Sequence, residues 1–151
     1  MDTSHLDLPF RVKPARPMTQ DDLPEWEPAL AMLAKISREM SIKVKAVRLH
    51  NHKNSPKHDH SLAWADLDSR EISLCDNSVE TAIHEIAHLW SQEDHNKKWA
   101  RCMLVLYRKY VPDQMVEYTK TLIKDYPDSA RVVRNMKRSE QRRIARGSRT
   151  D

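Results

Sequence analysis

A chain of 151 residues has the length of one ordinary domain and can bury a core without disulfides. It is 39% hydrophobic and 32% charged with a single glycine, Gly147, so it is a polar globular chain without the glycines of a P-loop or a dinucleotide-binding fingerprint. Its two cysteines, Cys75 and Cys102, form no Cys-x-x-Cys pair, which excludes a zinc ribbon and a thioredoxin-like centre.

The N-terminal residues carry Asp2 and Asp7 and no apolar run of signal-peptide length. No stretch approaches the roughly 20 apolar residues of a membrane span. The expectation is a cytoplasmic protein with reduced thiols and no membrane partner. Residues 1–24 hold Pro9, Pro14, Pro17 and Pro24 and read as an extended proline-rich arm. From Pro28 to Met40, Leu30, Leu33, Ser37 and Met40 make a helical stripe. Asp21 or Asp22 is placed to cap that helix, with Pro24 in its first turn.

Ile42–Leu49 reads as a strand whose apolar register slips, which a bulge near Ala46 would explain. Asn51–His60 is a polar loop. Ser61–Leu67 and Arg70–Cys75 read as two strands joined by a tight turn at Asp68-Ser69, a hairpin. Asn77–Gln92 reads as a helix, with Asn77 as cap and Glu80 at capping-box spacing. A further helix runs from Asn96 to Tyr110, with Trp99, Met103, Leu106 and Tyr110 on one stripe. Pro112 separates it from another at Asp113–Lys124, and Pro127 breaks the chain again. The whole reads as an α+β fold: a small sheet with a hairpin packed on helices. Its divisions are an arm at 1–24, a domain at 25–126 and a basic tail, helical or disordered, at 127–151.

The chemistry centres on His84-Glu85-Ile86-Ala87-His88. Histidines four apart on a helix face the same way. Two neutral imidazoles then suit one zinc ion, which takes nitrogen ligands tetrahedrally and in catalytic sites keeps one position open. Glu85 stands beside the first ligand, placed to act as general base. A satisfied pair of core histidines is the plain alternative, but two histidines and a glutamate in an apolar helix are costly without a partner. A third ligand is needed, and His95, in the polar turn Glu93-Asp94-His95-Asn96, is the first candidate. Glu93, Asp94 and Glu117 are the oxygen alternatives, and a surface histidine in a turn is the plain reading of His95.

These residues resemble the SprT-like zinc metallopeptidases. Arg70-Glu71-Ile72-Ser73-Leu74 is similar to the strand that leads into the family's His-Glu-x-x-His helix. Val79–Trp90 is similar to that helix, and His95-Asn96-Lys97-Lys98-Trp99 to the turn that supplies a third histidine. The resemblance implies a zincin-like core with a helical C-terminal extension, of the compact phage or bacterial type without the zinc ribbon. It also implies a hydrolase that binds zinc through His84, His88 and His95, uses Glu85 on peptide bonds, and acts on proteins, including proteins associated with DNA. Asn96 stands where the family usually has glycine, and asparagine also tolerates left-handed φ.

Other features are weaker. His50, His52, His58 and His60 flank a proline loop and read as solvated residues rather than as a second metal site. Ser61–Leu67 is the strand expected to receive a substrate by backbone pairing. Tyr107, Tyr110 and Arg101 are candidates to stabilise an oxyanion. The net charge of +4 is uneven: residues 131–149 hold eight basic groups and one acid, Glu140, which leaves the rest at −3. That tail suits nucleic acid through phosphate contacts, an acidic protein, or simply water. The rival readings of the whole are a zinc-stabilised nucleic-acid- or protein-binding module without turnover, and a zinc hydrolase of non-peptide amides.

Overall fold

A computed structural model of the chain describes residues 7–14, 26–50 and 63–148. The fold is α+β, with a small mixed sheet and, among the described residues, five α-helices. The elements are β1 (Arg11–Pro14), α1 (Glu27–Glu39), β2 (Ala46–Leu49), β3 (Ala63–Asp66), β4 (Glu71–Leu74), α2 (Val79–Ser91), α3 (Lys97–Tyr110), α4 (Met115–Asp125) and α5 (Ser129–Ser148). They form two compact units, Met1–Gln92 and Glu93–Asp151.

In the first unit the strand order is β1-β2-β4-β3. β1 and β4 each run parallel to β2, and β3 runs antiparallel to β4. Part of the proline-rich stretch therefore serves as a strand at the edge of the sheet among the described residues, a place that tolerates proline. Lys13 of β1 and Arg48 of β2 both reach Glu71 of β4, at 2.9 and 3.4 Å. The hairpin expected from the sequence forms, Ala63 opposite Leu74 and Asp66 opposite Glu71. Its turn is held by Asp66 Oδ1, which accepts from the N–H groups of Asp68 and Ser69 at 3.0 and 3.1 Å.

The expected bulge near Ala46 is corrected. Ile42–Val44 precedes the pairing, Lys45 begins it with backbone bonds to Arg70 and Arg11, and β2 pairs continuously from Ala46. Ala46 and Val47 point to opposite faces yet both are buried. The apolar slip therefore marks a strand covered on both sides, not an extra residue.

α1 buries Ala29, Leu30, Leu33, Ala34 and Ile36 and packs against α2. The proposed caps Asp21 and Asp22, and Pro24, lie outside the described residues. Trp26 occupies the cap position without a side-chain bond, and Pro28 stands in the first turn. The orphan N–H of Ala29 is taken instead by Asn77 Oδ1 at 3.2 Å. Asn77 thus satisfies the start of α1, not of α2, and the capping box drawn from Asn77 to Glu80 is corrected. Ser78 caps α2, its hydroxyl accepting from Thr81 N–H at 3.3 Å. Asp76 supports this start by accepting from Ser78 N–H at 2.8 Å and from the Thr81 hydroxyl at 3.3 Å.

In the second unit α3 packs against α4 and α5, and α4 against α5. α3 buries Trp99, Ala100, Met103, Leu104, Leu106 and Tyr107. Pro112 opens a single 3-10 turn, Pro112–Gln114, before α4. The basic tail is helical. α5 is buried at Ser129, Val132 and Val133, and exposed over most of its remaining length. An Arg108–Glu140 ion pair ties it to α3. Among the described residues no helix is long and apolar enough to cross a membrane.

Candidate metal centre

The residues that carry the chemistry lie on one short stretch of chain, the last turns of α2 and the turn that follows it. Ala82, Ile83, Ile86, Ala87 and Leu89 bury the helix on most of its circumference. Ile83, Ile86 and Leu89 each contribute about 1.5–3 kcal/mol of burial, enough to hold polar neighbours in place. His84 and His88 stand one turn apart, with ring centroids 5.1 Å apart and planes at 66°. His84 is half-buried and His88 is 7% exposed.

The end of α2 directs the chain onward. Gln92 adopts a left-handed cap, φ 59°, and its N–H bonds to His88 O at 2.9 Å. Its side-chain amide donates to Leu89 O at 2.6 Å. Asn96 then caps α3, accepting from Trp99 N–H at 3.0 Å. Asn96 is extended, φ −103°, so the left-handed conformation expected there belongs to Gln92 instead. Asparagine suits position 96 because its side chain caps the helix with a bond that glycine, lacking a side chain, cannot make.

His84, His88 and His95 each offer one ligand atom, and these atoms all lie within 4.8 Å of one another. The group can hold a metal ion. Neither Glu93, Asp94 nor Glu117 is part of it. Asp94 instead lies beside His95, its Oδ1 3.1 Å from Nδ1. Glu117 is exposed on α4. Burial holds the His95 ring below the usual histidine range, and Asp94 opposes this only in part. A neutral imidazole is the form a metal requires.

Glu85 is 4% exposed, and its Oε2 has no hydrogen-bond partner among the described residues. Its other oxygen is 3.8 Å from His84 Nε2. Burial, aided by the nearby negative charge of Asp76, pushes the Glu85 carboxyl up to about 8. A buried carboxyl with one oxygen unsatisfied is destabilising by itself. Beside three converging imidazoles, it is what a cation or its bound water would satisfy, so the residues present fit a divalent metal with nitrogen ligands.

Among the oxyanion candidates, Tyr107 is buried with its ring against Tyr118, and Tyr110 meets the Lys109 ammonium at 5.5 Å. Arg101 is exposed on α3. The tyrosine beside a candidate ligand is Tyr126, whose hydroxyl is 3.2 Å from His95 Nε2. It lies 31 residues further along the chain, and no spacing rule links the two. Of the histidine cluster, His50 packs its ring against Trp64 at 4.9 Å, while His52, His58 and His60 lie outside the described residues. Cys75 and Cys102 are not joined in a disulfide.

Comparison of the chain with family models, with curated proteins and with solved structures found no match.

Proposed function

We propose that the chain is a zinc-dependent metallopeptidase with a zincin-like core, acting in the cytoplasm. The observation that carries this reading is Glu85: a buried carboxylate with an unsatisfied oxygen, on the same helix as two of three clustered imidazoles. His84, His88 and His95 would hold the ion, which supplies Lewis acidity to a carbonyl and acidity to a water. Glu85 takes the proton of the attacking water and delivers it to the leaving amine. The apolar residues around it exclude competing water and strengthen each charge interaction.

The substrate is a protein or peptide. β3 is an edge of the sheet among the described residues and packs against α2, so a substrate in extended form can add to it as a strand. The resemblance to the SprT-like enzymes extends the proposal to proteins associated with DNA. Helix α5 supports that extension with Arg131, Arg134, Lys137, Arg138, Arg142, Arg143 and Arg146, all exposed, against Glu140 alone. Polyanion binding there would weaken steeply with salt.

The test compares zinc content and cleavage of an unfolded protein for wild type, His95→Ala and Glu85→Gln, with and without DNA. About one tightly held zinc in wild type, sharply weakened in His95→Ala, is expected. Cleavage that persists in Glu85→Gln would sink the mechanism. Zinc retention with no hydrolysis of any protein, and unfolding on metal removal, would favour a binding module without turnover. Hydrolysis of a non-peptide amide alone would redirect the substrate class.

A further inference from the structure

Both ring nitrogens of His95 are engaged. Asp94 Oδ1 lies 3.1 Å from Nδ1, and the Tyr126 hydroxyl lies 3.2 Å from Nε2. An ionised carboxylate only accepts, so its place beside Nδ1 favours the tautomer protonated there. In the neutral ring Nε2 is then the atom with the lone pair, and the Tyr126 O–H donates to it. The phenol ring also stacks on the imidazole, with centroids 4.4 Å apart and planes 21° from parallel. Trp99 closes on the same imidazole edge-on at 4.8 Å and 87°. Tyr126 is itself fixed: its N–H bonds to Leu122 O at 2.8 Å, and its ring meets Trp99 at 5.0 Å.

We propose that Tyr126 is a positioning residue with two opposed effects on metal binding: its ring holds the plane of His95, and its hydroxyl occupies the Nε2 lone pair as a placeholder that the metal must displace. This rests on the metal-site reading above. Stacking restricts the imidazole before binding, so less freedom is lost when the ligand is engaged. The hydroxyl works the other way, because its hydrogen bond to Nε2 must break first. Removing the hydroxyl alone therefore tightens binding, and removing the whole ring weakens it. A residue that only filled space would change affinity in the same direction in both variants.

The experiment uses the full chain as wild type, Tyr126→Phe and Tyr126→Leu. Zinc affinity is measured by competition with a chromophoric chelator, and folding by circular dichroism. The imidazole nitrogen resonances of His95 are recorded without metal. Tyr126→Phe is expected to bind zinc about three- to tenfold more tightly, and Tyr126→Leu about tenfold more weakly or worse. Without metal, the Nε2 resonance should move toward that of an unbonded lone pair in the Phe variant, while Nδ1 keeps its proton. Wild type that takes up no zinc overturns the metal reading and this proposal with it. Wild type that binds zinc while Tyr126→Phe binds no more tightly, or leaves the Nε2 resonance unmoved, overturns this proposal alone. Should Tyr126→Leu fail to fold, the Phe variant and the resonances decide.

Discussion

Helices α2 and α5 solve opposite problems. α2 is 13 residues long, buried on most of its circumference and capped at both ends by side chains. α5 is 20 residues long, buried at Ser129, Val132 and Val133, and rich in arginine. α2 keeps a carboxylate and a histidine out of water, which only tight apolar neighbours can enforce. α5 keeps its charges in water, and its length rests on residues with good helix propensity. Polar groups held inside at a cost point to chemistry, and polar groups left outside point to solvation or to a charged partner.

The comparison breaks most visibly at Glu85. Glu85→Gln is expected to lower the rate of peptide hydrolysis by about 10²–10⁴-fold, whereas reversing Arg138 to Glu should leave hydrolysis of a free peptide unchanged; parallel assays on one fluorogenic peptide check both. Next in size is packing. Ile86→Ala should cost about 2–5 kcal/mol of unfolding free energy, and Ile144→Ala, at a position 62% exposed, less than about 0.5 kcal/mol. Urea titrations of the two variants would erase the contrast if the losses were equal.

A pH series sharpens the same point. The folded Glu85 carboxyl is raised above its ordinary value of 4.5 to about 8, so the folded state holds a proton that the unfolded state has released. Stability of the metal-free protein should therefore be fullest below about pH 4.5 for this group and fall as pH rises toward 8, by on the order of a few kcal/mol. Glu85→Gln should flatten that slope in a thermal-melt series. The smallest effect is at the cap: Ser78→Ala should cost about 1 kcal/mol, readable as a shift of the urea midpoint.

Much of this was legible in the sequence because it is local. The hairpin follows from two apolar runs around Asp66–Arg70, and α2 from its periodicity and its histidine spacing. The third ligand candidate was legible because His95 follows so closely after His88. What escaped was settled between distant residues. Asn77 looks like the cap of its own helix, but its amide is taken by Ala29, which lies 48 residues earlier. The doubled burial of Ala46 and Val47 looks like a bulge until both faces of β2 are known to be covered. Tyr126 carries no motif, since its relation to His95 depends on how α3 and α4 pack. A left-handed residue was expected where glycine is usual, yet the turn is made at Gln92, and Asn96 serves as a cap.

The three candidate ligands lie between His84 and His95, a span that the chain can close in tens of nanoseconds even when unfolded. Chelation by these histidines would therefore not wait for the tertiary structure. An unfolded chain would retain measurable affinity for the ion, so added metal should raise the melting temperature by less than its affinity for the native state implies. The same economy of span makes the segment an early meeting point in folding, where an ion could hold the last turn of α2 together before the helix has a sheet to pack on.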